Sequence, residues 1–141
     1  MPNRRCFLAK TEPDVYSIAD LAREGRTTWD GVRNAQARIA IRAMSPGDLV
    51  LIYHSGGASE IVGLARVVSN PTDAPRDPKM TVVDLEYVCT LSEPVTLKSV
   101  KDSGLFADFA LVRQGRLSTM EVPKAFTNWL KKQRPELKEL L

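Results

Sequence analysis

The chain has 141 residues, 43% of them hydrophobic and 26% charged, with a formal net charge of +3. These are averages of an ordinary globular protein, so they argue against a disordered chain and predict one domain, residues 1–141, around one core. The apolar run Leu49 to Tyr53 is far shorter than the roughly 20 residues a bilayer-spanning helix needs, so no membrane association is expected. Met1-Pro2-Asn3-Arg4-Arg5 is followed by no apolar stretch of signal-peptide length, which predicts a cytoplasmic protein.

The first strand reads Cys6 to Ala9, and Glu12-Pro13-Asp14 ends it. Ser17 and Asp20 form a capping-box pattern that starts a short helix with Ile18, Leu21 and Ala22 on its apolar face, and Gly25 supplies the stop. A second helix starts near Asn34, because Ala37, Ile41 and Met44 recur at helical spacing before Ser45-Pro46-Gly47-Asp48 turns the chain. Asp48 to Ser55 and Glu60 to Ser69 read as a hairpin through Gly56-Gly57.

Asn70 to Lys79, with three prolines, reads as a surface loop. In Thr81 to Leu91, alternation of Val83, Leu85, Tyr87, Cys89 and Leu91 with polar residues predicts a strand buried on one face. A short strand at Val95 to Leu97, a helical turn from Lys98 to Ser103 and a strand-like stretch from Gly115 to Val122 follow. Pro123 opens a last helix with Phe126, Trp129, Leu130 and Leu137 as its apolar stripe. Mixed strands with few helices and no repeating βαβ unit predict an α+β fold, a partly closed barrel.

The most unusual segment is Thr28 to Asn34, where Trp29 stands among polar residues outside any apolar periodicity and reads as a loop tryptophan. Its flat π surface suits stacking on a nucleobase, although a tryptophan plugging the barrel end is an equal reading. Tyr53 is likewise pocket lining or core. One histidine and two distant cysteines supply no metal motif, so no metal is expected, and Cys6 and Cys89 in apolar context predict reduced thiols rather than a nucleophile with His54. Glu12, Asp30 and Asp77 each adjoin a glycine or proline and suit turn fixing better than acid–base work.

Four blocks then carry a resemblance: Lys10-Thr11-Glu12-Pro13; Trp29-Asp30-Gly31-Val32-Arg33-Asn34 with Gln36-Ala37-Arg38; Gly47 to Ser55; and Leu111-Val112-Arg113-Gln114 with Arg116-Leu117-Ser118. In this order they resemble the EVE domain, a PUA-like family related to the YTH domains. The resemblance implies a mixed β pseudo-barrel flanked by helices, no cofactor, no settled enzymatic activity and so a non-catalytic module, and a pocket that accepts a base, with a modified base in DNA or RNA as partner. It implies Trp29 as the stacking wall, Asn34 as an amide at the base edge, and Thr11 and Ser118 as adaptable hydroxyls. Lys10, Arg33, Arg38, Arg76, Lys79, Arg113 and Arg116 are the expected phosphate contacts. After Asp77-Pro78-Lys79, where the family often carries an aromatic, this chain has Met80, so a cage for a charged methylated base is not expected. Alternatives are an enzyme or binder acting on a small nucleotide-like ligand in the same pocket, or a protein-interaction subunit.

Overall fold

A computed structural model describes residues 4–141, and the expectation for the leader therefore lies partly outside the described residues at Met1 to Asn3. In chain order the elements are β1 (Cys6–Thr11), α1 (Ile18–Glu24), β2 (Arg26–Val32), α2 (Ala35–Arg42), β3 (Leu49–His54), β4 (Glu60–Val67), β5 (Thr72–Ala74) and β6 (Asp77–Thr96). Then come α3 (Leu97–Asp102), α4 (Ala110–Arg113), β7 (Thr119–Glu121), α5 (Lys124–Gln133) and a single 3-10 turn (Pro135–Leu137). The fold is α+β: a mixed sheet in the order β2-β6-β4-β3-β1-β7, with β5 paired to β6, curls into a half-barrel.

Among the described residues only β1 and β3 run parallel, with Phe7 opposite Val50 and Ala9 opposite Ile52. Both are covered on two faces, which is why Phe7-Leu8-Ala9 and Leu49 to Tyr53 are continuous apolar runs rather than alternating ones. Helix α2 packs on both β7 and β6, strands far apart in the sheet order, and so fills the opening of the curl with Ala37 and Ile41. The capping box at Ser17 and Asp20 is formed, and the Gly25 N–H closes α1 on Leu21 O at 2.7 Å. Ala22 faces solvent, because the apolar stripe of so short a helix narrows to Ile18 and Leu21.

Several elements differ from the sequence expectation. Trp29 lies on β2, not on a loop, because β2 pairs with β6 from Arg26 opposite Glu86 to Trp29 opposite Val83. Asn70 to Lys79 is no open loop but carries β5 and the start of β6, where Thr72 opposes Val82. β6 runs without a break into Val95, its prolines tolerated because the strand changes partners along its length. Register shifts against β4 near Ile61 and Leu64 also interrupt the alternation, leaving Tyr87 and Cys89 only half-buried.

The stretch from Gly115 yields strand only at Thr119–Glu121, after the unexpected helix α4. The last helix stops at Gln133, and Leu137 reaches the core from the 3-10 turn. Trp129 is half-buried in an aromatic cluster in which Phe126 meets Phe106 at 5.0 Å, Phe109 at 4.8 Å and Trp129 at 5.5 Å between ring centroids. Among the described residues no helix is long and apolar enough to cross a membrane.

Candidate base-binding cleft

The C-terminal end of β1, the turn after it and strand β2 enclose a cleft of about 390 Å³, within the ~300–1,000 Å³ range of small-ligand sites. Trp29 is its floor. It is only 8% exposed and belongs to the core, yet part of its surface lines the cleft. Tyr16 stands over it at a right angle, with ring centroids 6.1 Å apart and planes at 83°. Thr11, Thr28, Asp30 and Ser118 bring hydroxyls and a carboxylate to the rim, and Lys10 brings an ammonium.

Local hydrogen bonds set this geometry. Val15 and Tyr16 N–H both donate to Glu12 O at 2.9 Å, and Thr11 Oγ1 donates to Tyr16 O at 2.8 Å, so the turn that carries Tyr16 is closed from both sides. The Tyr16 hydroxyl donates to Glu24 Oε1 on α1. Burial, reinforced by that carboxylate, pushes the Tyr16 phenol above its ordinary pKa and keeps it protonated. On the other wall β2 bulges between Trp29 and Val32, where Gly31 adopts a left-handed φ of +80° that an L side chain resists. Gly31 N–H donates to Met80 Sδ at 3.3 Å.

Lys10 is anchored rather than free. Its backbone N–H donates to Ser118 O at 2.8 Å, and its Nζ donates to Gly115 O at 3.0 Å while lying 5.4 Å from the Tyr53 ring centroid. Burial pulls its pKa below the usual lysine value. Tyr53 itself is 3% exposed, on a strand covered on both sides, and lines no part of the cleft. The pocket expectation for Tyr53 is therefore corrected to a core ring that supports Lys10.

Asn34 is also displaced from its expected place. Its Oδ1 accepts from Ala37 N–H at 3.0 Å as the cap of α2, and the residue lines a neighbouring hollow with Gln36, Gln114, Gly115, Arg116 and Leu117. Among the expected phosphate contacts, Arg38 is committed to structure: Nε donates to Thr81 Oγ1 at 2.9 Å and a terminal nitrogen to Pro78 O at 2.8 Å. Arg33, itself exposed, pairs with Asp77, and Arg76, Lys79, Arg113 and Arg116 are exposed as well. Tyr16, Val15 and Thr27 line the cleft without a sequence signal that marks them, since Tyr16 directly before the Ser17 cap reads as an ordinary helix-entry residue.

Other reactive groups are engaged or quiet. Burial, with a smaller push from Asp48, raises the Cys6 thiol to about 12, and burial also raises Cys89. Both thiols are free of disulfide. His54 Nε2 accepts from Ile18 N–H at 3.1 Å.

The sequence from residue 5 to 133 matches the EVE domain. The chain belongs to the EVE family. Thymocyte nuclear protein 1 from mouse is 34% identical over 67% of this chain, and the human protein is 30% identical over the same share. The chain spans about half the length of these relatives, 54% and 55%. A Leishmania major protein superposes with a TM-score of 0.88 at 31% identity, covering 97% of this chain and 98% of its own. The human THYN1 protein, solved in complex with 5-methylcytosine-containing DNA, superposes with a TM-score of 0.83 at 25% identity, covering 92% of this EVE chain and 96% of its own.

Proposed function

We propose that this EVE domain is a nucleic-acid-binding module that takes a single base, preferentially a modified one, into the cleft floored by Trp29. The observation that carries the reading is the right-angled pair of Tyr16 and Trp29 in a cleft with a polar rim. A flat base sliding along one ring meets the edge of the other, while the Ser118 hydroxyl rotates to match its polar edge and Thr11 Oγ1, its proton held by Tyr16 O, offers an acceptor. Extruding the base costs a few kcal/mol, and stacking returns roughly 1 to 3 kcal/mol. The DNA complex of the human relative supports DNA as the polymer and 5-methylcytosine as a modification to test.

A non-catalytic role agrees with the chemistry present. The thiols are held protonated, and the imidazole of His54 is spent on a backbone N–H. The exposed cations Arg76, Lys79, Arg113 and Arg116 are candidates for phosphate contact.

Fluorescence anisotropy at two salt concentrations tests the reading, using matched single- and double-stranded oligonucleotides carrying cytosine, 5-methylcytosine, 5-hydroxymethylcytosine, adenine or N6-methyladenine, in DNA and RNA. Preference for one modified base that collapses in Tyr16→Ala and weakens in Trp29→Phe is the expected result. Equal weak binding of every oligonucleotide, unchanged in both variants, would overturn it and favour a small nucleotide-like ligand or a protein partner.

A further inference from the structure

Beside the base cleft lies the second hollow, about 330 Å³, lined by Asn34, Gln36, Gln114, Gly115, Arg116 and Leu117. The two are joined by short stretches of chain. Leu117 lines the hollow and Ser118 the cleft, and likewise Asn34 and Val32. One to two residues of extended chain span at most about 7 Å, the scale of one nucleotide step in a strand opened from its stacked rise of about 3.4 Å.

The hollow is also chemically specific. Three carboxamides and one guanidinium line it, all on exposed residues. The Asn34 oxygen already accepts the Ala37 N–H, so Gln36 and Gln114 are the amides that present a donor and an acceptor side by side, the pattern that matches a base edge, and arginine matches guanine or a phosphate. Its walls are fixed. Leu117 N–H donates to Gln114 O at 3.0 Å, Lys10 Nζ pins Gly115 O at 3.0 Å, and the Asn34 cap holds the start of α2. A phosphate-only site needs cations, whereas here amides outnumber them.

From this arrangement we infer that the Asn34–Gln36–Gln114–Arg116 hollow is a second subsite that reads the base next to the captured one and so sets sequence context. The inference rests on the base-capture reading. Gln36 and Gln114 read the neighbouring base edge, and Arg116 contacts either that base or its phosphate.

The test uses single-stranded DNA with one central 5-methylcytosine or cytosine and each of the four bases in turn at both adjacent positions. Wild type is expected to rank the bases at one adjacent position with a spread of about fivefold or more, as one good bidentate contact gives. A Gln36→Ala/Gln114→Ala variant is expected to flatten that ranking to under twofold while keeping its melting temperature and its preference for the central 5-methylcytosine. A flat ranking in wild type, or a ranking unchanged in the double variant, overturns the subsite while leaving base capture standing. Absence of any preference for the central modified base, seen in wild type itself, overturns base capture and this inference together.

Discussion

The Tyr16 ring stands edge-on to Trp29 at 6.1 Å, one ring from the turn after β1 and the other from β2. Trp29 thus serves the core and the cleft at once, which decides how it is tested. Trp29→Ala is expected to cost about 3–5 kcal/mol of stability, as for other large buried aromatics, and so confounds binding with unfolding. Tyr16→Ala, at a half-buried ring, is expected to leave a cooperative fold while reducing oligonucleotide affinity severalfold. Urea unfolding run beside anisotropy separates the two, and a Tyr16→Ala protein that binds like wild type would remove Tyr16 from the site.

His54 makes stability depend on pH. Burial holds its pKa below the ordinary 6.5, against a smaller opposite pull from Glu60, while Nε2 accepts the Ile18 N–H. With a lowered folded pKa, the unfolded chain takes up the proton first as pH falls. The contribution is therefore complete above pH ~6.5 and is lost as pH drops through the lowered folded value. Urea midpoints from pH 7.5 to 5 should fall less steeply in His54→Gln than in wild type; parallel curves would contradict this role.

Arg38 and Arg116 separate a structural cation from an exposed one. Arg38→Ala removes both its bond to Thr81, whose residue is 1% exposed, and its bond to Pro78 O. Leaving the Thr81 hydroxyl short of a partner is expected to cost about 1–3 kcal/mol. Arg116→Ala should leave stability unchanged and reduce the salt dependence of DNA binding by about one counterion. A reversed result, stable Arg38→Ala with a shallower salt slope, would return Arg38 to the phosphate contacts.

Gly63 on β4 sits where backbones crowd. A Cβ there would lie 2.7 Å from Cys89 O and 2.6 Å from Ile18 Cδ1, and the carbonyl belongs to the paired strand β6. Gly63→Ala is expected to destabilise by about 1–3 kcal/mol or more through overpacking. Thermal unfolding checks it, and an unchanged midpoint would show that β6 yields at this point.

Capping and turn chemistry made much of the architecture legible in the sequence, because Ser17, Asp20, Gly25 and the Gly56-Gly57 pair act on neighbours a few residues away. The continuous apolar runs at Phe7 and Leu49 likewise announced buried strands. Trp29 misled as a loop residue because the partner that makes β2 a strand lies on β6, more than fifty residues along the chain. Tyr53 was left between two roles because strand periodicity does not reveal that both of its faces are covered.

The chain by itself determined the α+β class, the caps, and the family through four blocks whose residues are set by local backbone needs and side-chain chemistry. The tertiary structure decided which of those residues meet. It set Tyr16 on Trp29, moved Asn34 to a second hollow and tied Arg38 to Thr81, because each relation joins segments whose separation is fixed only when the curled sheet and α2 pack together.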